Sequence, residues 1–193
     1  VLKSVELNKS AARKLKWEVN YFQVGRLAQI ELYENSPIKV EFDRNHYQIV
    51  KVPFFIEEDN NGFIISTDQE GSASMVYDYQ TENSIRLDSA TYPSGRYEYD
   101  QWIEGRGYRF KIKKTANFNL SVGARLGIVF NTISSIAHNN RKSLNVNISA
   151  KANSTTMRLS ARGNNLFKLS DLINTTVETL REHELERKNE RAR

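Results

Sequence analysis

Residues 31–42 read Glu-Leu-Tyr-Glu-Asn-Ser-Pro-Ile-Lys-Val-Glu-Phe, and the turn at their centre decides the fold class. The ring of Pro37 fixes its own φ and pushes Ser36 out of the helical region, so Asn35-Ser36-Pro37 is a turn. Beyond it, Ile38, Val40 and Phe42 alternate with Lys39, Glu41 and Asp43. That period of two is the pattern of a half-buried strand, apolar on one face and charged on the other. Val40 and Phe42 are therefore expected in the core, on the sheet face that meets the terminal helices, with Lys39 and Glu41 in water. Pro37 suits the start of such a strand, where its missing N–H costs the ladder least. A helical arm ends here and a sheet begins.

Upstream, Ser4 is placed to cap a helix and Glu6 lies in its first turn, near the positive end of the helix dipole. Val5, Ala12, Leu15, Val19 and Phe22 recur at helical steps with Asn8 on the same stripe, which predicts a helix running to Gly25. Lys3, Lys9, Arg13, Lys14 and Lys16 make its remaining surface basic, as a solvated face or an anionic-partner site. Ala28, Ile30 and Leu32 alternate with polar neighbours as a short strand before the turn.

Downstream, residues 38–114 are β-rich. Strands are expected at 47–52, 62–67, 74–79, 84–87 and 108–113, with residues 57–61 as an acidic loop between the first two. The clearest is the last, with Tyr108, Phe110 and Ile112 on one side and Arg109, Lys111 and Lys113 on the other. Residues 126–130 are short and apolar, Asn131 is placed to cap a brief helix through 139, and strands follow at 144–148 and 154–160. Gly163-Asn164-Asn165 turns the chain into a last helix whose stripe is Leu166, Leu169, Ile173, Val177 and Leu180, joined by Leu172. From Arg181 onward that stripe gives way to charges of both signs, and Glu184 and Lys188 form a favourable four-residue pair.

The 193 residues are 39% hydrophobic and 26% charged, the balance of a globular protein with a sizeable core. The longest apolar run, 126–130, is far short of the roughly 20 residues that cross a bilayer. The chain opens at Val1 with no methionine or signal-peptide pattern, which reads as a fragment of a longer protein. With no cysteine there is no disulfide, no thiolate zinc site and no thiol catalysis. Gly105-Arg106-Gly107 lacks the remaining glycine and the strand–helix setting of a phosphate loop. His46, His138 and His183 lie far apart with no metal-ligand spacing, and Ser121 and Ser160 lack a nucleophile-elbow setting. The sequence thus supports no catalytic, cofactor or metal site, and a hydrolase would require two carboxylates facing each other across a cleft. The net charge of +5 is spread along the chain with no nucleic-acid motif beside it.

Two stretches have the equipment to bind something. Arg109, Lys111 and Lys113, with Lys114 beside them, form a cationic row that suits an acidic glycan or a neighbouring subunit, or is simply the wet side of a sheet. Glu57, Glu58 and Asp59 are the acidic counterpart for a subunit contact. Residues 92–102 interleave Tyr97, Tyr99 and Trp102 with carboxylates and Arg96. Aromatic faces beside such groups stack on sugars, or equally cover a core.

The run Leu32-Tyr33, Ser36-Pro37-Ile38-Lys39-Val40 and Phe42 resembles the chain-length determinant (Wzz/Wzc-like) family of polysaccharide co-polymerases, most of all the exopolysaccharide-transport type. The likeness extends over Leu2-Lys3-Ser4, Tyr21-Phe22, Gly25-Arg26, Phe130-Asn131 and residues 154–160. It closes with Asn164, Asp171-Leu172-Ile173-Asn174-Thr175 and Glu186-Arg187-Lys188-Asn189. It is poorest across residues 59–119, which it leaves as a variable β-rich insertion in one domain of residues 1–180, with 181–193 a polar helix leading out.

The resemblance implies an α+β periplasmic domain, a mixed sheet packed with N- and C-terminal helices, held at a bacterial inner membrane by flanking helices outside this chain. It implies a homo-oligomeric ring that governs the length and export of surface polysaccharide, with the polymerase and export machinery and the nascent glycan as partners. Some members carry a cytoplasmic tyrosine autokinase, which this chain would not contain. The competing class is a carbohydrate-binding or adhesin-like module.

Overall fold

In the computed structural model the chain is described over residues 4–60, 62–71, 73–120, 123–151 and 154–191. It divides into two compact units, one of Val1–Trp17 with Ile133–Arg193 and a larger one of Glu18–Thr132. The class is the α+β one expected, with helices near both ends of the chain. Every described ladder is antiparallel, so in place of a mixed sheet there are four antiparallel sheets.

The first helix, α1 (Val5–Leu15), begins as expected: the Ser4 hydroxyl accepts from the Leu7 N–H at 3.2 Å. It stops ten residues before Gly25, because Lys16 takes the left-handed conformation that closes a helix, φ 53°. Val19 and Phe22 then belong not to the helix but to strand β1 (Val19–Val24), whose β-branched and aromatic residues favour the pleat. The buried face of α1 is Leu7, Asn8, Ala11 and Ala12, while Val5 is exposed. Asn8 tolerates burial because its amide donates to the Ser4 carbonyl at 2.8 Å.

The larger unit continues with β2 (Gln29–Glu31) and, past the Ser36-Pro37 turn, β3 (Ile38–Phe42). Ser36 is extended, as its proline neighbour requires. Next come β4 (Gln48–Ile49), β5 (Pro53–Asp59), β6 (Gly62–Ser66), β7 (Ser74–Asp78) and β8 (Asn83–Leu87). Then follow β9 (Gly95–Tyr97), β10 (Ile103–Gly105), β11 (Tyr108–Lys114) and β12 (Arg125–Phe130). The expected strand at 47–52 is thus only two residues long. The expected acidic loop is instead the end of β5, paired in a hairpin with β6. Three apolar residues, Phe54, Phe55 and Ile56, start that strand and hold Glu57, Glu58 and Asp59 in its register.

One sheet has the order β2-β1-β12-β5-β6-β9, another β10-β11-β3, and a third β4-β7-β8. An aromatic core joins the first two. The Phe54 and Phe110 rings stack at 6.1 Å, and Phe130 lies 5.5 Å from both Phe110 and Phe42. In β3, Val40 is buried and Lys39 and Glu41 are exposed, as the alternation predicts. Phe42 is only half-buried, and its ring neighbours are Phe130 and Tyr79.

Across the first sheet, Phe22, Gly127 and Phe55 stand side by side on neighbouring strands. The Phe22 ring lies over Gly127 and meets Phe55 edge-on at 6.3 Å. A Cβ at residue 127 would sit 2.1 Å from the end of the Phe22 ring, so only glycine leaves that ring its place. Gly127→Ala is therefore expected to lower the urea midpoint by an amount equivalent to about 1–3 kcal/mol. The check is Phe22→Leu in the same chain, which should recover part of the loss; strict additivity would mean the ring is not the obstacle.

The smaller unit holds α1, α2 (Ile133–Ser143), the hairpin β13 (Leu144–Lys151) with β14 (Ser154–Ala161), and α3 (Leu166–Arg191). α2 is longer than the brief helix expected from Asn131, whose backbone N–H donates to the Glu18 carbonyl and whose carbonyl accepts from the Tyr79 hydroxyl. Asn165 caps α3 through the Lys168 N–H at 3.1 Å. Both α2 and α3 pack on α1, as two amphipathic helices from the chain ends require. The face α3 buries is Leu172, Thr176 and Thr179 rather than Leu169, Ile173 and Val177, which are half-buried. The two threonine hydroxyls can enter because each donates to the carbonyl four residues back, at 2.6 and 2.7 Å. Beyond Leu180 the helix is almost wholly exposed.

Candidate functional site

The strand β11 alternates as read, with Tyr108, Phe110 and Ile112 buried and the cations outward. Its cationic row is not open. Lys111 lies directly opposite Glu41 on β3 and pairs with it at 3.1 Å, and Lys113 reaches the same carboxylate at 2.6 Å and Asp100 at 3.7 Å. Arg109 meets Asp43 at 2.5 Å and Glu104 at 3.2 Å. The bonds from Lys113 and Lys111 hold the Glu41 carboxyl below its ordinary range. The Asn45 N–H and Arg109 do the same for Asp43. Sequence reading found the cations and missed their partners, which come from β3 itself, from the loop after it, from β10 and from residue 100.

The acidic end of β5 is likewise engaged. Glu57 pairs with Arg125 at 3.4 Å and Asp59 with Arg96 at 3.1 Å. Glu58 is exposed, and its charge adds to burial in pushing the Tyr99 phenol up to about 12. No ion pair among the described residues joins this acidic strand end to the β11 row.

The aromatic cluster separates into packing and surface. Tyr97 stacks on Phe63 at 6.3 Å, and Tyr99 lies 5.1 Å from Phe63 and 5.5 Å from Phe118. Both tyrosines are half-buried. Trp102 is exposed, with Arg109 and Lys111 each 4.9 Å from its ring. Lys114 sits over Tyr99 and Phe118 at 4.5 and 4.1 Å. One continuous wet face therefore carries the β11 cations, their carboxylates and one exposed indole.

A residue that the sequence reading passed over positions this face. Gln48 is fully buried, and its amide donates to the carbonyls of Asp43, His46 and Arg109 while its oxygen accepts from the Arg109 N–H at 3.2 Å. It thereby fixes the loop that carries Asp43 against the strand that carries Arg109. The only signal for it was a polar residue where a strand pattern expects an apolar one.

Among the described residues no three His, Asp or Glu side chains are grouped to hold a metal ion. No helix among them is long and apolar enough to cross a membrane. Lys3 and Ser121 lie outside the described residues. A scan against protein-family models gives no match, and a search of curated proteins finds no relative.

Proposed function

We propose that this chain is the periplasmic domain of an inner-membrane polysaccharide co-polymerase, a non-enzymatic scaffold that sets the chain length and export of a surface polysaccharide by assembling with copies of itself. The observation that carries this reading is the order and spacing of its sequence motifs, from Ser4 through Ser36-Pro37-Ile38-Lys39-Val40 and Phe130-Asn131 to Glu186-Arg187-Lys188-Asn189. Two features of the fold support it. The helices α1 and α3 belong to one compact unit, as a domain tethered at both ends to one membrane needs. The polar stretch of α3 beyond Leu180 buries almost nothing, and a helix that is polar all round gains stability from neighbours.

Ring assembly places one surface of a subunit against a different surface of the next, and such contacts are weak once the membrane segments that concentrate the subunits are gone. The isolated chain is therefore expected to be largely monomeric in dilute solution. The β11 face is the proposed contact, and a partner there must exchange existing ion pairs rather than meet free cations, which tunes orientation and rate more than affinity. The test is Arg109→Glu, Lys111→Glu and Lys113→Glu together in the membrane-embedded parent, reading ring formation by crosslinking and the length distribution of the exported polymer. A Gln series at the same positions controls for local repulsion against Glu41 and Asp43. Both readouts should change together. If polymer length shifts while assembly stays intact, the face beside the exposed Trp102 touches glycan, as the carbohydrate-binding reading expects. If neither moves, the contact assignment fails.

A further inference from the structure

The charges of this protein are segregated. The smaller unit carries sixteen Lys and Arg against seven Asp and Glu, a net of +9, and the larger carries twelve against sixteen, a net of −4. Within the smaller unit, residues 133–170 contain six cations and no carboxylate side chain. Arg109, Lys111 and Lys113 of β11 are paired, whereas Arg141, Lys142, Arg158 and Arg162 are exposed, and among the described residues none of these four has a carboxylate within ion-pair distance.

Three of these four sit at one place. The Arg162 N–H donates to the Ser143 carbonyl at 3.0 Å, which holds Arg162 beside the end of α2, where Arg141 and Lys142 lie. This is the base of the β13–β14 hairpin. Above it, Leu144, Val146 and Ile148 line one face of β13, and their direct partners Ala161, Leu159 and Met157 line the same face of β14. Burial fades along that face. Val146 and Leu159 are half-buried, whereas Ile148 and Met157, roughly 14 Å from the base at 3.4 Å per residue, are exposed at 60% and 44%. Leu166 and Phe167, which start α3 after the four residues that follow the hairpin, are exposed at 80% and 71%. Such a two-stranded sheet, unpaired at both edges, is marginal in water by itself.

We infer that this hairpin docks on an anionic lipid surface, with Ile148 and Met157 entering the acyl boundary and the cations at its base meeting the headgroups. Charge complementarity selects an anionic partner. The exposed aliphatic pair selects a bilayer over a charged polymer, because a polyanionic glycan gives Ile148 and Met157 nothing to bury in. The hairpin lies along the surface rather than tip-first, since β13 ends in Lys151 beyond Ile148. Its apolar face then meets the acyl boundary while the basic residues at both ends of the strand keep to the headgroup layer.

The experiment uses the full 193-residue chain and sedimentation with vesicles of phosphatidylcholine alone or mixed with phosphatidylglycerol. Binding is expected only with the anionic lipid, and to weaken as salt rises. Arg162→Glu should lower partitioning by at least about fivefold, the effect of one interfacial cation. Lys39→Glu, the same charge change on exposed β3, should not. Ile148→Asn with Met157→Asn should abolish binding while leaving the circular dichroism spectrum unchanged, since both side chains are already solvated. Absence of binding to anionic vesicles overturns the inference, and so does binding that survives the double Asn variant or falls equally with Lys39→Glu. Self-association through the hairpin without vesicle binding assigns the face to a second copy and overturns it as well.

Discussion

Phe110→Ala should remove about 3–5 kcal/mol of stability, a large share of the roughly 5–15 kcal/mol that a domain usually has. Phe110 is fully buried, and its ring touches those of Phe54, Tyr108 and Phe130. It also stands in register with Phe42 on β3 and Ile103 on β10, so truncation opens a cavity between two sheets whose strands cannot close over it. The measurement is urea unfolding followed by tryptophan fluorescence. Trp17→Phe in the background leaves Trp102 to report on the larger unit alone, which matters because two units need not unfold in one transition. A loss below about 1 kcal/mol would mean that the sheets are not packed through Phe110.

Gln48→Leu should cost about 1–3 kcal/mol although the volumes nearly match, because the Arg109 N–H loses its side-chain acceptor and the His46 carbonyl its amide donor away from water, while the Asp43 and Arg109 carbonyls keep backbone donors. Gln48→Glu should be worse at neutral pH, since an ionised carboxylate would face three carbonyl oxygens. In the folded state that carboxyl would have its pKa raised above the unfolded value. Its folding contribution is then fully present below the ordinary carboxylate range and is lost as pH rises through the raised folded pKa. The Glu variant should therefore recover toward the Leu variant on acidification, measured as the difference in urea midpoint between them. A Glu variant whose deficit stays constant from neutral to acidic pH would show that residue 48 does not face those carbonyls.

The wet face of the larger unit depends on Gln48 as much as on its charges. Asp43 and Arg109 are brought together by the β3–β11 ladder, where the Asp43 N–H donates to the Arg109 carbonyl at 3.0 Å, and the buried amide braces that junction. The paired row is consequently a rigid patch of near-neutral charge. In the other unit, exposed cations without a carboxylate partner gather around a hairpin with an exposed apolar pair.

By itself the sequence determined the α+β class, the Pro37 turn, the facing of β3 and β11, the Ser4 cap and the start of α3, because each follows from steric or periodic rules acting over a few residues. It did not end α1 at Leu15. Val19 and Phe22 fit a helical stripe as well as a strand, and pairing with β12, more than a hundred residues away, chose the strand. It placed Glu57 to Asp59 in a loop because local charge reads as solvent, whereas the hairpin partner β6 keeps them in a ladder. The stripe of α3 was read from the largest apolar residues, but close packing of helices favours Thr176 and Thr179, whose hydroxyls are satisfied within the helix. The cations Arg109, Lys111 and Lys113 were visible in the chain, and their neutralisation was not. An ion pair depends on separations in space that only the tertiary fold fixes, and the fold places Glu41, Asp43, Asp100 and Glu104 within reach of that row.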